Sequence, residues 1–322
     1  MSTLLFRRLL YSIPVLLIAS FLLFWMVRTT YDPTARLAQV RDPATRQHEI
    51  ERLGLDQPII TQYRIWLGDF LRGDWGESVA SRQPVSELIP KALWNTVQLI
   101  FWGILVAAII AITIGVYSAV KQYSAGDYAF TALTYIGISM PPFWFGLIAI
   151  HFLAVGPKEW FNLDQVPLNY VGLHSVGESG FNWDYITHLV LPVMTLSIQI
   201  IASWTRFQRA ATLDVLGSDY IRTARAKGVP RRRVIIRHAL RNALIPLVTV
   251  MAVDIGLLFG GLIITETIFS IPGMGRLFIT SLVGSDVAVI EAWMLVVALF
   301  ILAFNLVADA LYGFLDPRIR VQ

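Results

Sequence analysis

Six long apolar runs alternate with polar stretches along the 322 residues of the chain. The first, 9–27, is 19 residues without a charge, flanked by Arg7-Arg8 and Arg28. A hydrocarbon layer about 30 Å thick takes about 20 helical residues, so this run can cross it. It exceeds the roughly 7–15-residue core of a secretory signal and shows no small-residue cleavage site, so it reads as a retained span. Runs at 92–120, 128–157, 185–205, 242–265 and 288–310 predict five more. The third is interrupted by Met140-Pro141-Pro142. A proline pair removes ladder hydrogen bonds, which is tolerated only where protein or a cavity satisfies the freed backbone. The fold class this predicts is an all-α polytopic membrane protein with six transmembrane helices.

The longest polar stretch, 28–91, carries nine basic and nine acidic residues and so has no net sign. Pro58 opens a helical stripe there: Ile59, Tyr63, Trp66, Leu67 and Phe70. The expected organisation is an N-terminus and first span at 1–27, a loop with short helices at 28–91, and a five-helix core at 92–322. The stretch is either a plain connection or, as loops of this length often are, one with a task.

Charge orients the spans. Ten of the 26 Lys and Arg residues fall in 206–241, beside two acids, which predicts a cytoplasmic loop. Counting spans from there puts both termini, Lys121, Arg318 and Arg320 on the same side. The segment 158–184 has one base and four acids and suits the other side. Composition agrees with the spans: 56% of residues are hydrophobic and 15% charged. There is no cysteine, hence no disulfide framework or thiolate site. The basic residues lie between apolar runs rather than on a soluble domain, so nucleic acid is not the expected partner.

Within the basic loop, Ser218 is placed to cap a helix that Gly228 would end and Pro230 follow. The predicted helix, 219–227, is about 13 Å long. Tyr220, Ile221 and Ala224 share one face, and Arg222 and Arg225 another. After Pro230, Arg233, Arg237 and Arg241 stack along one side and Ile236, Leu240, Ala243 and Leu247 along another, as in a segment that lies on a membrane and then enters it.

This loop resembles the "EAA" loop of permease subunits of bacterial ABC importers. Gly228 and Ala224 match that pattern, while Arg222 and Thr223 replace its Glu and first Ala. The form Arg-Thr-Ala-x-x-Lys-Gly, followed by Leu240-Arg241-Asn242-Ala243 and Pro246, is that of the peptide/nickel branch. Further similarities to that branch are Gly54-Leu55-Asp56-Gln57-Pro58, Ser139 to Phe145, Glu266 with Phe269 and Pro272-Gly273-Met274-Gly275, and the end Leu315-Asp316-Pro317. The resemblance implies a type I ABC importer permease fold in a bacterial inner membrane. In it the short helix would be the coupling helix, with Tyr220, Ile221, Arg222, Thr223, Ala224, Arg225, Lys227 and Gly228 at the ATPase contact, and Tyr220, Ile221 and Ala224 as the buried face. Implied partners are a second permease subunit, two ATPase subunits or one fused ATPase, an external substrate-binding protein and membrane lipid. ATP and magnesium would belong to the ATPase subunits; no cofactor is expected in this chain. Peptides are the first implied substrate, with nickel, haem or another small solute as alternatives.

Other chemistry is sparse. No Gly-x-x-x-x-Gly-Lys-Ser/Thr loop is present, so the chain is not expected to hydrolyse ATP itself, and the five histidines form no i, i+4 metal pair. Asp254, the deepest acid, reads either as functional or as paired with a neighbouring subunit's polar group. Gly256 and Gly260 could allow close packing of the fifth span. Glu266 reads as a turn contact or a pathway residue, and His188 as interfacial. A secondary transporter would more often show repeated interrupted spans, and only one break is visible. An intramembrane acid hydrolase would need a second deep acid, which is lacking.

Overall fold

The computed structural model describes residues 2–31, 42–52, 54–259 and 262–315, and among these the chain is helical, with one isolated bridge between Glu77 and Pro84 and no strand. The elements are α1 (Ser2–Thr30), α2 (Pro43–Arg52), α3 (Ile59–Leu71), α4 (Val85–Val120), α5 (Ala125–Ser139), α6 (Pro142–Ile150) and α7 (Gly156–Trp160), then α8 (Trp183–Leu216), α9 (Asp219–Ala226), α10 (Arg231–Arg233), α11 (Arg241–Leu258), α12 (Ile263–Ile268), α13 (Met274–Val283) and α14 (Val287–Leu315). Five of the described helices are long and apolar enough to cross a membrane, or six if the bent pair around Pro141 is one span.

The helix α4 packs along α8, and a stripe of small residues explains how. Gly103, Ala107, Ala111 and Gly115 recur every fourth residue on one face of α4. Ala107 and Ala111 are fully buried against Trp204 and Leu247. A Cβ at Gly115 would lie 2.7 Å from Gln208 Cβ and 3.0 Å from the Thr205 backbone oxygen, so glycine is needed for this approach. The backbone oxygen of Gly103 is close enough to accept a 3.1 Å hydrogen bond from Ser197.

The proline pair breaks the third run as expected: α5 and the helical segment from Pro142 to Trp160 meet at 104°. The carbonyl of Met140, freed by the break, accepts a hydrogen bond from Gln199 Nε2 on α8. The predicted stripe of the long polar stretch is the inner face of α3. Tyr63 and Trp66 pack on Phe24 of α1, and Phe70 stacks on Trp75. Below it, Arg28 pairs with Glu291 of α14 at 2.6 Å, both nearly buried. Asp286, at the start of α14, accepts from Ser78 Oγ and Val79 N. The stretch is thus built onto the core.

Two boundaries differ from the sequence expectation. The second span begins at Val85, not near 92: Pro84 takes the N-cap position, and the helix continues through Pro90 at the loss of one ladder hydrogen bond near its start. The fifth is one helical rod, Arg231–Leu258, that stops seven residues before 265. Glu266 is therefore on the separate helix α12. Gly260, Gly261 and the segment 316–320, with Arg318 and Arg320, lie outside the described residues.

Candidate functional site

The segment between α8 and α11 forms the site. α9 has eight residues, too few to be stable alone, so its ends and one face must be held by the rest of the chain. The C-terminal end follows the sequence logic closely. Gly228 has φ +73°, Val229 N donates to Ala224 O, and Gly228 N donates to Arg225 O. That is the Schellman pair of bonds, and Val229 packs near Ala224 as the motif requires. The N-terminal end differs from expectation. Ser218 is the cap residue, but its Oγ donates back to Val215 O at 2.6 Å and makes no cap bond. Its carbonyl accepts from Ile221 and Arg222 N.

The buried face also differs. Ile221 is fully buried, but by its own chain: Val234 and Ala239, with Val215, Leu216, Ala224 and Val229 around them. The cause is a π-helical stretch, Val234–Leu240, after α10. Its wider turn puts Val234 and Ala239, five residues apart, on the α9 side, after which Ala243 and Leu247 continue the buried line. Ile236, expected on the apolar side, is 53% exposed. Ile221 thus anchors α9 inward and is covered by its own chain, with the half-buried Ala224 beside it.

What α9 presents outward is polar and basic. Arg222, Thr223, Arg225, Lys227 and Gly228 are exposed, and Tyr220 is 45% exposed. Arg222 approaches Asp219 at 3.3 Å, an exposed pair of small energetic weight. Tyr220 Oη accepts from Asn242 Nδ2 at 2.8 Å, which ties α9 to the foot of α11.

The deep acids divide into two kinds. Asp254 is half-buried on α11, and its Oδ2 accepts from Trp204 Nε1 at 2.7 Å. That donor lies within the chain. Gly256 faces Phe304 of α14, with 3.0 Å between an added Cβ and the Phe304 Cβ. Glu266 is fully buried and organises a turn: Oε1 accepts from Thr96 Oγ1 at 2.7 Å and Oε2 from Arg276 N at 2.9 Å. Thr96 Oγ1 accepts in turn from Met274 N, and Trp293 Nε1 donates to Met274 O. A side chain at Gly273 would collide with the Glu266 carboxylate, so Glu266, Pro272 and Gly273 are one structural knot joining α4, α12, α13 and α14. His188, expected at the interface, is buried, with Nδ1 2.8 Å from Asp184 O.

Sequence reasoning missed Thr96, and the bidentate pair between Arg209 of α8 and buried Asp127 of α5, both contacts at 2.9 Å. Among the described residues no group of three His, Asp or Glu side chains could hold a metal ion.

Comparison with known proteins bears on the whole chain. Residues 111–321 match the model of the binding-protein-dependent transport system inner membrane component family, and residues 1–100 match that of the N-terminal region of such membrane components. The oligopeptide transport system permease protein AppB of Bacillus subtilis (strain 168) is 40% identical over 325 residues, covering 99% of this chain and all of that protein. The dipeptide transport system permease protein DppB of Escherichia coli (strain K12) is 39% identical over 307 residues, 90% of each chain. The oligopeptide transport system permease protein OppB of Mycobacterium tuberculosis (strain ATCC 25618 / H37Rv) is 34% identical over 332 residues, all of both chains.

Proposed function

The chain belongs to the family of binding-protein-dependent transport system inner membrane components, and on that premise we propose that it is one permease subunit of an ATP-driven importer for di- or oligopeptides. The peptide substrate is carried over from relatives 34–40% identical along nearly the full chain. An external binding protein delivers the peptide, a second, similar permease completes the pathway, and two ATPase subunits, or one fused ATPase, bind ATP and magnesium and supply the energy. Both termini and the 206–241 loop lie in the cytoplasm, in keeping with the excess of Lys and Arg there.

The observation that carries the coupling role is the architecture of α9. It is a short helix capped at its end, pinned inward by Ile221, and flanked by the feet of α8 and the Arg231–Leu258 rod. The contact with an ATPase is made by Tyr220, Arg222, Thr223, Arg225, Lys227 and Gly228, the residues left exposed. Push and pull on this helix reach both rods. Asp254, with its second carboxylate oxygen free of any described partner, belongs to the pathway or to the contact between permeases, whereas Gly256, buried against Phe304, serves helix packing within the chain.

The test is reconstitution of the complete complex. ATP hydrolysis should rise with binding protein loaded with a short peptide, and ligand co-purified on the binding protein should be peptide by mass spectrometry. Stimulation by a nickel-, haem- or sugar-loaded binding protein and not by a peptide-loaded one would overturn the substrate. Absence of an associated ATPase in the purified complex would overturn the importer.

A further inference from the structure

Near the α9 end of the bundle, α4, α5 and α8 enclose a cavity of about 430 Å³. Its walls carry hydroxyls, among them Thr131 and Thr134 from α5 and Ser203 and Thr205 from α8, and two arginines, Arg206 and Arg209. The two arginines differ in state. Arg209 is neutralised by its bidentate contact with Asp127, which also accepts from Tyr123 N. The Arg206 guanidinium lies 5.4 Å from the Tyr135 ring centre and has no carboxylate partner among the described residues. Thr205 is 4% exposed, and its Oγ1 is buried without a hydrogen-bond partner. A half-open cavity with one unspent positive charge and an unpaired buried hydroxyl is built for a single oxyanion.

Depth selects which oxyanion. The α8 sequence 185–205 holds no Asp, Glu, Lys or Arg, so Arg206 is the first charge at the edge of the apolar stretch. That is the level of lipid phosphates. The rim is aromatic and exposed: Tyr135 and Phe207 are 56% and 50% exposed. Acyl chains can lie along it while a headgroup enters. Basic pockets between spans on the cytoplasmic side are a recognised headgroup geometry.

We propose that this cavity binds the phosphodiester headgroup of one anionic phospholipid of the cytoplasmic leaflet, through Arg206 and the Thr205 hydroxyl. The assignment of leaflet rests on the sidedness proposed above; the lipid contact itself does not depend on transport. Next to it, Asp127–Arg209 links α5 to the helix that leads into α9, so an occupied cavity braces the foot of α8.

The experiment is native mass spectrometry of the intact transporter complex in detergent doped equally with phosphatidylglycerol and phosphatidylcholine. The wild-type complex should retain one phosphatidylglycerol more than the complex with Arg206→Gln, and no more phosphatidylcholine. Thr205→Val, which keeps shape, should lower retention several-fold, whereas Arg232→Gln on the exposed basic cluster should leave it unchanged. Millimolar inorganic phosphate should not displace the lipid. Equal phosphatidylglycerol retention by wild type and Arg206→Gln overturns the proposal. So does displacement by free phosphate, which would mean a soluble-anion site, or retention of a dipeptide in place of lipid, which would mean a substrate site. Loss of the second permease from the Arg206→Gln complex would make the cavity a subunit interface. Should Arg206→Gln not assemble for lack of folding, Arg206→Lys keeps the charge without the fork. It is expected to retain lipid at reduced occupancy, and full wild-type retention by Thr205→Val and loss of none by Arg206→Lys would also overturn the assignment.

Discussion

Replacing Ile221 by alanine removes the one fully buried side chain of α9. Its contacts are Val234, Ala239 and the partly buried side chains around them, all within the same chain. Truncating a buried isoleucine to alanine costs about 2–5 kcal/mol, depending on how far the site can collapse. Here the loss falls on an element of eight residues with little stability of its own. The destabilisation should therefore appear as local opening of α9, not as global unfolding. At about 1.4 kcal/mol per decade, opening becomes roughly 30-fold to several thousand-fold more frequent. Hydrogen exchange of the α9 amides in the reconstituted complex reads this directly, with the α4 amides as an internal reference. Ile221→Val, costing about 0.5–1.5 kcal/mol, should shift the same amides by roughly tenfold or less. In transport terms, Ile221→Ala should bind ATPase subunits weakly and lose peptide-stimulated hydrolysis. If α9 exchanges in Ile221→Ala as it does in the wild type, its inward anchoring is wrong. Ile221 would then face an outside partner, as the pattern of the sequence alone suggests.

Four further outcomes follow from the geometry. At Gly228 nothing lies within 4 Å of an added Cβ, so the cost of substitution is backbone strain alone. Gly228→Val should cost about 1–2 kcal/mol and uncouple ATP hydrolysis from loaded binding protein, with Gly228→Asn much milder; equal activity of both variants would exclude a left-handed cap. Thr96→Val orphans Glu266 and the Met274 amide, at about 1–3 kcal/mol each, and should lower the thermal midpoint of the complex; an unchanged midpoint would show that the knot is not structural. Arg28→Gln leaves Glu291 buried without its cation, at about 3–5 kcal/mol, and Arg28→Gln with Glu291→Gln should recover much of the loss; no recovery in the double variant refutes the pairing. For sidedness, Val176→Cys, fully exposed and free of the Asp184 contacts that hold Ser175, should react with an impermeant thiol reagent from outside, and Arg232→Cys should not; the reverse result inverts the topology.

Features that follow from local chemistry were legible in the sequence. The proline pair breaks a span whatever surrounds it, and Gly228 with Val229 and Ala224 forms a cap from six consecutive residues. Apolar runs set the number of crossings because each must cover the same thickness. Face assignments fared worse. The Ile221 side of α9 was readable as a stripe, but which molecule covers it depends on the π turn at Val234–Leu240, and a 3.6-residue period carries no sign of that turn. The Gly103, Ala107, Ala111, Gly115 stripe was present at regular spacing, and small residues in an apolar run signal a close helix contact. Acids divided in the same way. Nothing near Glu266 in sequence indicates Thr96, 170 positions earlier, and Glu291 lies 263 positions from Arg28. Such pairs exist only once the helices have met.

The placement of α9 has a mechanical consequence for the proposed cycle. It is joined through Gly217 and Ser218 to α8, 34 residues long, and through the Gly228 cap and Pro230 to the 28-residue rod Arg231–Leu258. At 1.5 Å per residue these rods are about 51 Å and 42 Å long, both longer than the hydrocarbon layer. Ile221 locks α9 to the foot of the second rod, and Tyr220 repeats the link through Asn242. A displacement of α9 cannot be absorbed in a loose loop, so it is passed to both rods together. They answer it differently. α8 is held by the small-residue stripe of α4 and, through Arg209, by Asp127 of α5. The second rod meets α14 at Gly256 and ends at Leu258, where the helix breaks before the Glu266 knot. The knot therefore stays with α4 and α14, and a tilt of the rod below it about its upper end would have to loosen the Trp204–Asp254 bond to α8 and the packing of Leu247 on Trp204. Alternating access in this chain should accordingly appear as a change of angle between α11 and α12, with α12 and α13 unmoved relative to α4. Spin labels at Val253 and Leu299, exposed on α11 and α14, would measure it. Their separation should differ between nucleotide-free and ATP-trapped complexes, while a pair at Leu88 and Phe278 should hold its distance. A shift of the second pair as large as the first would place the moving boundary elsewhere.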